Sequence, residues 1–367
     1  MANRFQQRRH NVAYGAGRNE NRVPIVGGSE RVSNSLQAQA AGDAGRVSGG
    51  SAGPAVKRAR DPGFRDSAVF ASPRVDEDVD LRAQSESIFS VDVEDWFHII
   101  DIPGAPQLPQ WDSLPSCVER NFMRLLDLFS EKHATVTCFF LGWIAERFPN
   151  LVREASQRGH EIASHGYAHQ LTYQLSNTQF YDDVLRARKL LEDASGTAVV
   201  GYRAPSFSVS DWFFETLIDA GYTYDASVFP APREHGGMRT NAREPYVIKQ
   251  GNGHIFEFPI SVVDLMGKPM CFSGGGYLRL LPYSAIRHLS HRVLDQGRPV
   301  VFYIHPREID PYQPRLSMGM RRRFKTYVNL ATTESKLARL LDEFPVTTFR
   351  DYLSRNTSIK GSTTHER

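Results

Sequence analysis

From residue 87 onward the chain alternates short, apolar, β-branched runs with stretches whose apolar residues recur at helical spacing. No other feature restricts the fold as much. Strands are predicted at 87–93, 134–142, 160–166, 198–205, 299–306 and 346–349. Helices are predicted at 117–132, 143–159 (in two pieces broken at Pro149), 176–196, 208–221, 284–297 and 322–343. Repeated strand–helix units of this length specify an α/β fold with mostly parallel strands. Six or seven such units suit a distorted (β/α) barrel of about seven strands better than a small open sheet. Either architecture gathers ligands at the carboxyl ends of the strands, so chemistry belongs just after the apolar runs.

The first 86 residues are different text. They are polar and rich in Gly and Ser, and residues 1–60 carry ten Lys or Arg against three acids. The expectation is a disordered, solubilising tail over 1–86, a folded domain over 87–350 and a flexible C-terminus over 351–367. An apolar fraction of 41% supplies a core, and a net charge of +3 gives no global argument for nucleic acid. Cys117, Cys138 and Cys271 are too few and too scattered for a disulfide framework, which favours a reducing compartment. No apolar segment follows the basic start and no run reaches membrane-spanning length, so the expected location is the cytoplasm.

The strand ends carry the chemistry. The first run, SIFSVDVEDWFHII (87–100), closes with Asp92, Glu94 and Asp95. The two-residue period of a strand turns Asp92 and Glu94 to the same side. Two carboxylates there point to a metal site with a neighbouring base, and Asp95 either faces away or curls back as the ligand itself. SHGYAHQ places His165 and His169 four residues apart, a spacing that offers two imidazoles to one Zn²⁺ and, with one carboxylate, leaves a position for water. His133 and His160 read as ordinary polar residues, whereas His98 follows the acids closely. Arg203 at a strand end would hold Asp92 ionised. His305 ends a very apolar strand, where a carboxylate such as Asp225 would fit it to donate a proton. Together these residues describe metal-assisted hydrolysis, with Asp92 deprotonating water and His305 protonating the leaving group.

Asp92 with its following acids, then SHGYAH, GYRAPSF, YDASVFP and YIHPREIDP, stand in the order of the five motifs of the polysaccharide deacetylases. The chain therefore resembles the NodB-homology enzymes of carbohydrate esterase family 4 over 87–350. Through VDVEDWFH, GGGYLRLLPY and HPREIDP it resembles the subgroup found in exopolysaccharide loci near exosortase and PEP-CTERM systems. The resemblance implies a distorted barrel and removal of acetyl groups from an N-acetylated sugar in an oligo- or polysaccharide, within exopolysaccharide biosynthesis. It also implies Zn²⁺ or another divalent cation as cofactor. By position, Asp92 matches the catalytic base, Arg203 its brace, His305 the acid and Asp225 the acid's support. His165 and His169 match metal ligands, with Glu94 as the third and Asp95 as its alternative, because this chain reads Asp-Val-Glu-Asp where many relatives have adjacent aspartates. Trp96, Tyr167, Tyr202, Pro205, Tyr277 and Arg279 are expected near the sugar. A lipid-linked or nascent saccharide at the inner face of the membrane is the expected substrate, with peripheral membrane contact and no nucleic acid. An O-acetyl esterase, a small-amide deacylase and a carbohydrate-binding protein without chemistry are the rival readings.

Overall fold

The computed structural model describes residues 79–359 except 82, 101, 103, 232–239 and 252. Most of the tail expected over 1–86, and the last eight residues, lie outside the described residues. In chain order the strands are β1 (Val79–Leu81), β2 (Ser87–Val93), β3 (Thr137–Phe140), β4 (Glu161–Ser164), β5 (Gly201–Tyr202) and β6 (Tyr224–Asp225). They continue as β7 (Tyr246–Gln250), β8 (Gly253–Glu257), β9 (Val262–Leu265), β10 (Lys268–Cys271), β11 (Val300–Ile304), β12 (Val346–Thr347) and β13 (Thr357–Ile359).

The main sheet runs β11-β2-β3-β4-β5-β6-β8-β7, with β12 also pairing β2. Every neighbouring pair is parallel except the final β7–β8 hairpin. The α/β architecture is thus as expected, and the sheet is curled and open rather than a closed barrel. Its two ends, β11 and β7, do not pair. All seven residues of β2 are buried, as a central parallel strand covered on both faces requires. Helices such as Val118–Glu131 and Asn177–Ser195 supply that cover through Phe122, Leu125, Phe129, Phe180 and Val184.

Two predicted boundaries move. β1 pairs β13 antiparallel, so folded structure extends outward past both 87 and 350. Helix Phe349–Asn356 runs through the supposed domain edge because Thr348 caps it, its side chain accepting from the Asp351 amide, and because Phe349 and Tyr352 are buried. The helix expected over 322–343 is also broken, into Met320–Tyr327 and Thr333–Glu343. Asn329 sits between them at φ 52°, a left-handed conformation that Asn tolerates. Among the described residues, no helix is long and apolar enough to cross a membrane.

Candidate metal centre and active site

Parallel pairing places the ends of β2, β4, β5 and β11 along one edge, and a cavity of about 550 Å³ opens there. Asp92, Glu94, His98, His165, His169, Tyr277, Arg279, His305 and Arg307 all line it. Three of the six non-glycine residues with positive φ among those described, His169 (52°), Ser206 (50°) and Phe207 (58°), are also at its wall. Backbone held in a sparsely populated region is often found where a site demands it.

Glu94 is the hub. Its Oε1 lies 2.9 Å from His169 Nε2 and 3.2 Å from His165 Nε2, with all three side chains buried. His165 Nδ1 lies 2.7 Å from the Arg203 carbonyl, which can only accept, so Nδ1 carries the proton and Nε2 is left as a donor atom for a cation. Burial pushes both imidazoles down; in His165 the Glu94 and Asp92 carboxylates outweigh it, and in His169 Glu94 does not. Burial alone would raise the Glu94 carboxyl, but His169, His305, Arg307 and His165 together hold it well below its ordinary range. Two imidazole nitrogens and one ionised carboxylate, buried and converging, are a donor set that fits a divalent ion such as Zn²⁺. The three residues present therefore fit such a cofactor.

Asp92 points to the same side as Glu94. Arg203, fully buried, donates from Nη1 to Asp92 Oδ1 (2.6 Å) and to Ser90 Oγ (2.7 Å), and from Nε to the Ala226 carbonyl (3.2 Å). Asp95 goes elsewhere. Its carboxylate accepts from the amides of Trp96 (2.8 Å), Cys117 (3.0 Å) and Val118 (3.3 Å) and from Ser116 Oγ (2.5 Å), closing the N-terminus of the helix that begins at Val118. The structure brings Glu94, and not Asp95, to the two histidines. His98 accepts the Asp95 amide at Nδ1 (3.0 Å), and burial and His169 hold it well below its usual value. The neutral ring then carries its proton on Nε2, at the cavity wall.

His305 closes the constellation, with Nε2 at 3.7 Å from Glu94 Oε1 and 3.9 Å from Asp92 Oδ2. Its expected support, Asp225, is not beside it. Asp225 accepts from Ser227 Oγ (2.6 Å) and the Ser227 amide (3.0 Å). The carboxylate that meets His305 is Glu308, with Oε2 at 3.2 Å from Nδ1 and 3.0 Å from the His305 amide. Burial would raise Glu308, yet Arg279, His305 and Arg307 bring it down to about 2. Arg279 Nε donates to Glu308 Oε1 (3.1 Å) and its Nη1 to the Lys325 and Thr326 carbonyls (3.0 and 2.5 Å). Gly275 is needed here, since a Cβ on it would fall 1.7 Å from Glu308 Oε2. Arg307, also unanticipated, donates to Glu94 Oε2 at 2.6 Å. The signal for Glu308 was its position three residues after His305 in a turn opened by Pro306, the spacing of a capping box.

Of the aromatics expected at the sugar, only Tyr277 lines the cavity, with Arg279 beside it. Trp96 is buried with Nε1 donating to the Pro115 carbonyl (2.9 Å), and Tyr202 packs among Phe180, Phe213 and Tyr222. Tyr167 is buried with its hydroxyl on Glu146 (2.5 Å), and Pro205 is buried at the start of a short turn. These side chains follow the apolar side of their strand ends into the core.

Residues 110–224 match a family described as polysaccharide deacetylase, and residues 226–354 match a domain family of unknown function, DUF3473. A peptidoglycan deacetylase of Helicobacter pylori is 34% identical over 129 residues, 35% of this chain and 41% of that protein. A peptidoglycan-N-acetylglucosamine deacetylase of Bacillus cereus is 30% identical over 99 residues, 27% of this chain and 46% of that protein. The match thus spans less than half the length of either relative. The crystal structure of a putative polysaccharide deacetylase from Mycobacterium smegmatis shares the fold at a TM-score of 0.50 and 20% identity, covering 78% of this chain and 93% of that one. Glu94, His165 and His169 thus converge beside a stretch, 110–224, that is similar to polysaccharide deacetylases.

Proposed function

We propose that the protein is a metal-dependent hydrolase that removes the acetyl group from an N-acetylated sugar of an oligo- or polysaccharide, releasing acetate. The observation that carries this reading is the placement of a candidate acid, His305, within 3.9 Å of a candidate base, Asp92, and 3.7 Å of the Glu94 oxygen shared by two histidines. Glu94, His165 and His169 would hold the divalent cation, with Zn²⁺ as first choice. A bound cation there supplies Lewis acidity to water and to the acetyl carbonyl. Asp92, oriented by Arg203, takes the proton of the attacking water. His305 gives a proton to the sugar nitrogen as the C–N bond breaks, and ionised Glu308 keeps its Nε2 turned to the cleft by accepting at Nδ1. Tyr277 and Arg279 are the contacts offered to the sugar. Exopolysaccharide synthesis, on a lipid-linked or nascent saccharide at the cytoplasmic face of the membrane, is the setting we infer.

The test is acetate release from a panel of N-acetylated mono- and oligosaccharides, O-acetylated sugars and small amides. Release from N-acetylated oligosaccharides, falling about 10²–10⁴-fold in Asp92→Asn with bound metal unchanged, is expected. Preference for O-acetyl esters or simple amides would move the activity to an esterase or deacylase. Metal binding without release from any member would leave a carbohydrate-binding protein.

A further inference from the structure

Between Asp310 and Glu334 the chain has no acidic residue, while it carries Arg315, Arg321, Arg322, Arg323 and Lys325. Nine large apolar side chains are exposed among the described residues, and three of them fall in this short stretch: Tyr312 (91% exposed), Met320 (89%) and Phe324 (58%). Helix Met320–Tyr327 has no buried residue at all. Its spacing gives it two faces. Arg322, Lys325 and Thr326 share one side and line the active-site cavity. Met320 and Phe324, four residues apart, form an apolar ridge on the other side, with Arg321 and Arg323 along its flanks. Arg279 donates to the Lys325 and Thr326 carbonyls, and the Tyr327 hydroxyl accepts the Leu316 amide. The helix is therefore fixed at the mouth while its outer ridge is uncovered.

We propose that this outer ridge docks on an anionic membrane surface, Met320 and Phe324 entering the headgroup boundary and Arg321 and Arg323 meeting lipid phosphates. An apolar ridge flanked on its own helix by two arginines matches such a surface in both chemistry and charge. The chain's own first 60 residues are a poor occupant, since they carry ten cations and three acids and would be repelled. Docking would set the cavity, reached over the inner face of the same helix, against a saccharide still attached to lipid. That consequence rests on the function proposed above; the docking itself does not.

The full chain is sedimented with vesicles of phosphatidylcholine alone or containing about one third phosphatidylglycerol. Binding to the anionic vesicles at least about tenfold above neutral ones, and its loss in high salt, is expected. Arg321→Glu with Arg323→Glu, and separately Phe324→Asn, should each lower it about tenfold. Because none of these side chains is buried, the thermal midpoints should stay at the wild-type value. Equal binding to both vesicle types, binding unaltered in the variants, or retention on nucleic acid with none on vesicles would overturn the proposal. Acetate release from a soluble oligosaccharide, measured on the same samples, tests the enzyme separately. Release without vesicle binding removes the docking surface, and vesicle binding without release removes the enzyme while the docking surface stands.

Discussion

The segment 87–225 delivers Asp92, Glu94, His165 and Arg203 on the ends of parallel strands, with His169 on the loop that follows, whereas the segment 226–354 delivers His305, Arg307, Glu308 and Arg279 on turns and a short helix. The first group is almost wholly buried, and in it His165 meets the Arg203 carbonyl and Arg203 the Ala226 carbonyl. In the second, His305 and Arg307 keep 16% and 17% of their side chains exposed and are oriented by other side chains. A cation needs fixed donors, and a proton donor must reach a changing substrate. The region that matches the family of unknown function lines the same cavity, through the end of β11 and through the helix Gly275–Leu280.

The comparison breaks most sharply at Glu94. Glu94→Gln should abolish metal retention and lower acetate release by at least about a thousandfold. Asp95→Asn should keep the metal and lower only stability, by about 1–2 kcal/mol, as a weakened helix cap does; metal analysis and thermal melts separate the two. If Asp95→Asn alone lost the metal, the division would be wrong. On the other side, Glu308→Gln should lower kcat about 10–100-fold with metal content and KM close to wild type. Gly275→Ala should reproduce that loss by displacing Glu308, and a wild-type kcat in both would remove Glu308 from the account.

The smallest effect concerns Asp225 and Glu257, which the site does not use directly. Burial pushes both carboxyls up, and Asp225 lying against Glu257 pushes Glu257 further. The fold thus favours the protonated form, and a cost arises as pH climbs above the unfolded Glu value toward the folded one. Glu257→Gln should remove that cost, raising stability by about 1 kcal/mol near pH 8 and by less near pH 4. A melting difference independent of pH would contradict it.

Much of the first segment was legible because local rules determine it. Strand period turned Asp92 and Glu94 to one side and four-residue spacing paired His165 with His169, while in the second segment an apolar run announced His305. What escaped depended on contacts distant in sequence. Asp95 caps a helix that begins 23 residues later, and Asp225 turns to Ser227 while Glu308 meets His305. Trp96, Tyr167 and Tyr202 could not be told from sugar-stacking aromatics without knowing which side of each strand end meets the core. The break at Asn329 was hidden inside a plausible helical period and matters, since it separates the helix at the cavity mouth, Met320–Tyr327, from Thr333–Glu343.

The most direct test is to strip the protein of metal and titrate it with Zn²⁺, recording bound zinc and acetate release from an N-acetylated oligosaccharide together. Both should rise in parallel and saturate at one ion per chain, and neither should rise in Glu94→Gln. Acetate release that is complete before zinc binds, or absent at one bound zinc per chain, would contradict the account.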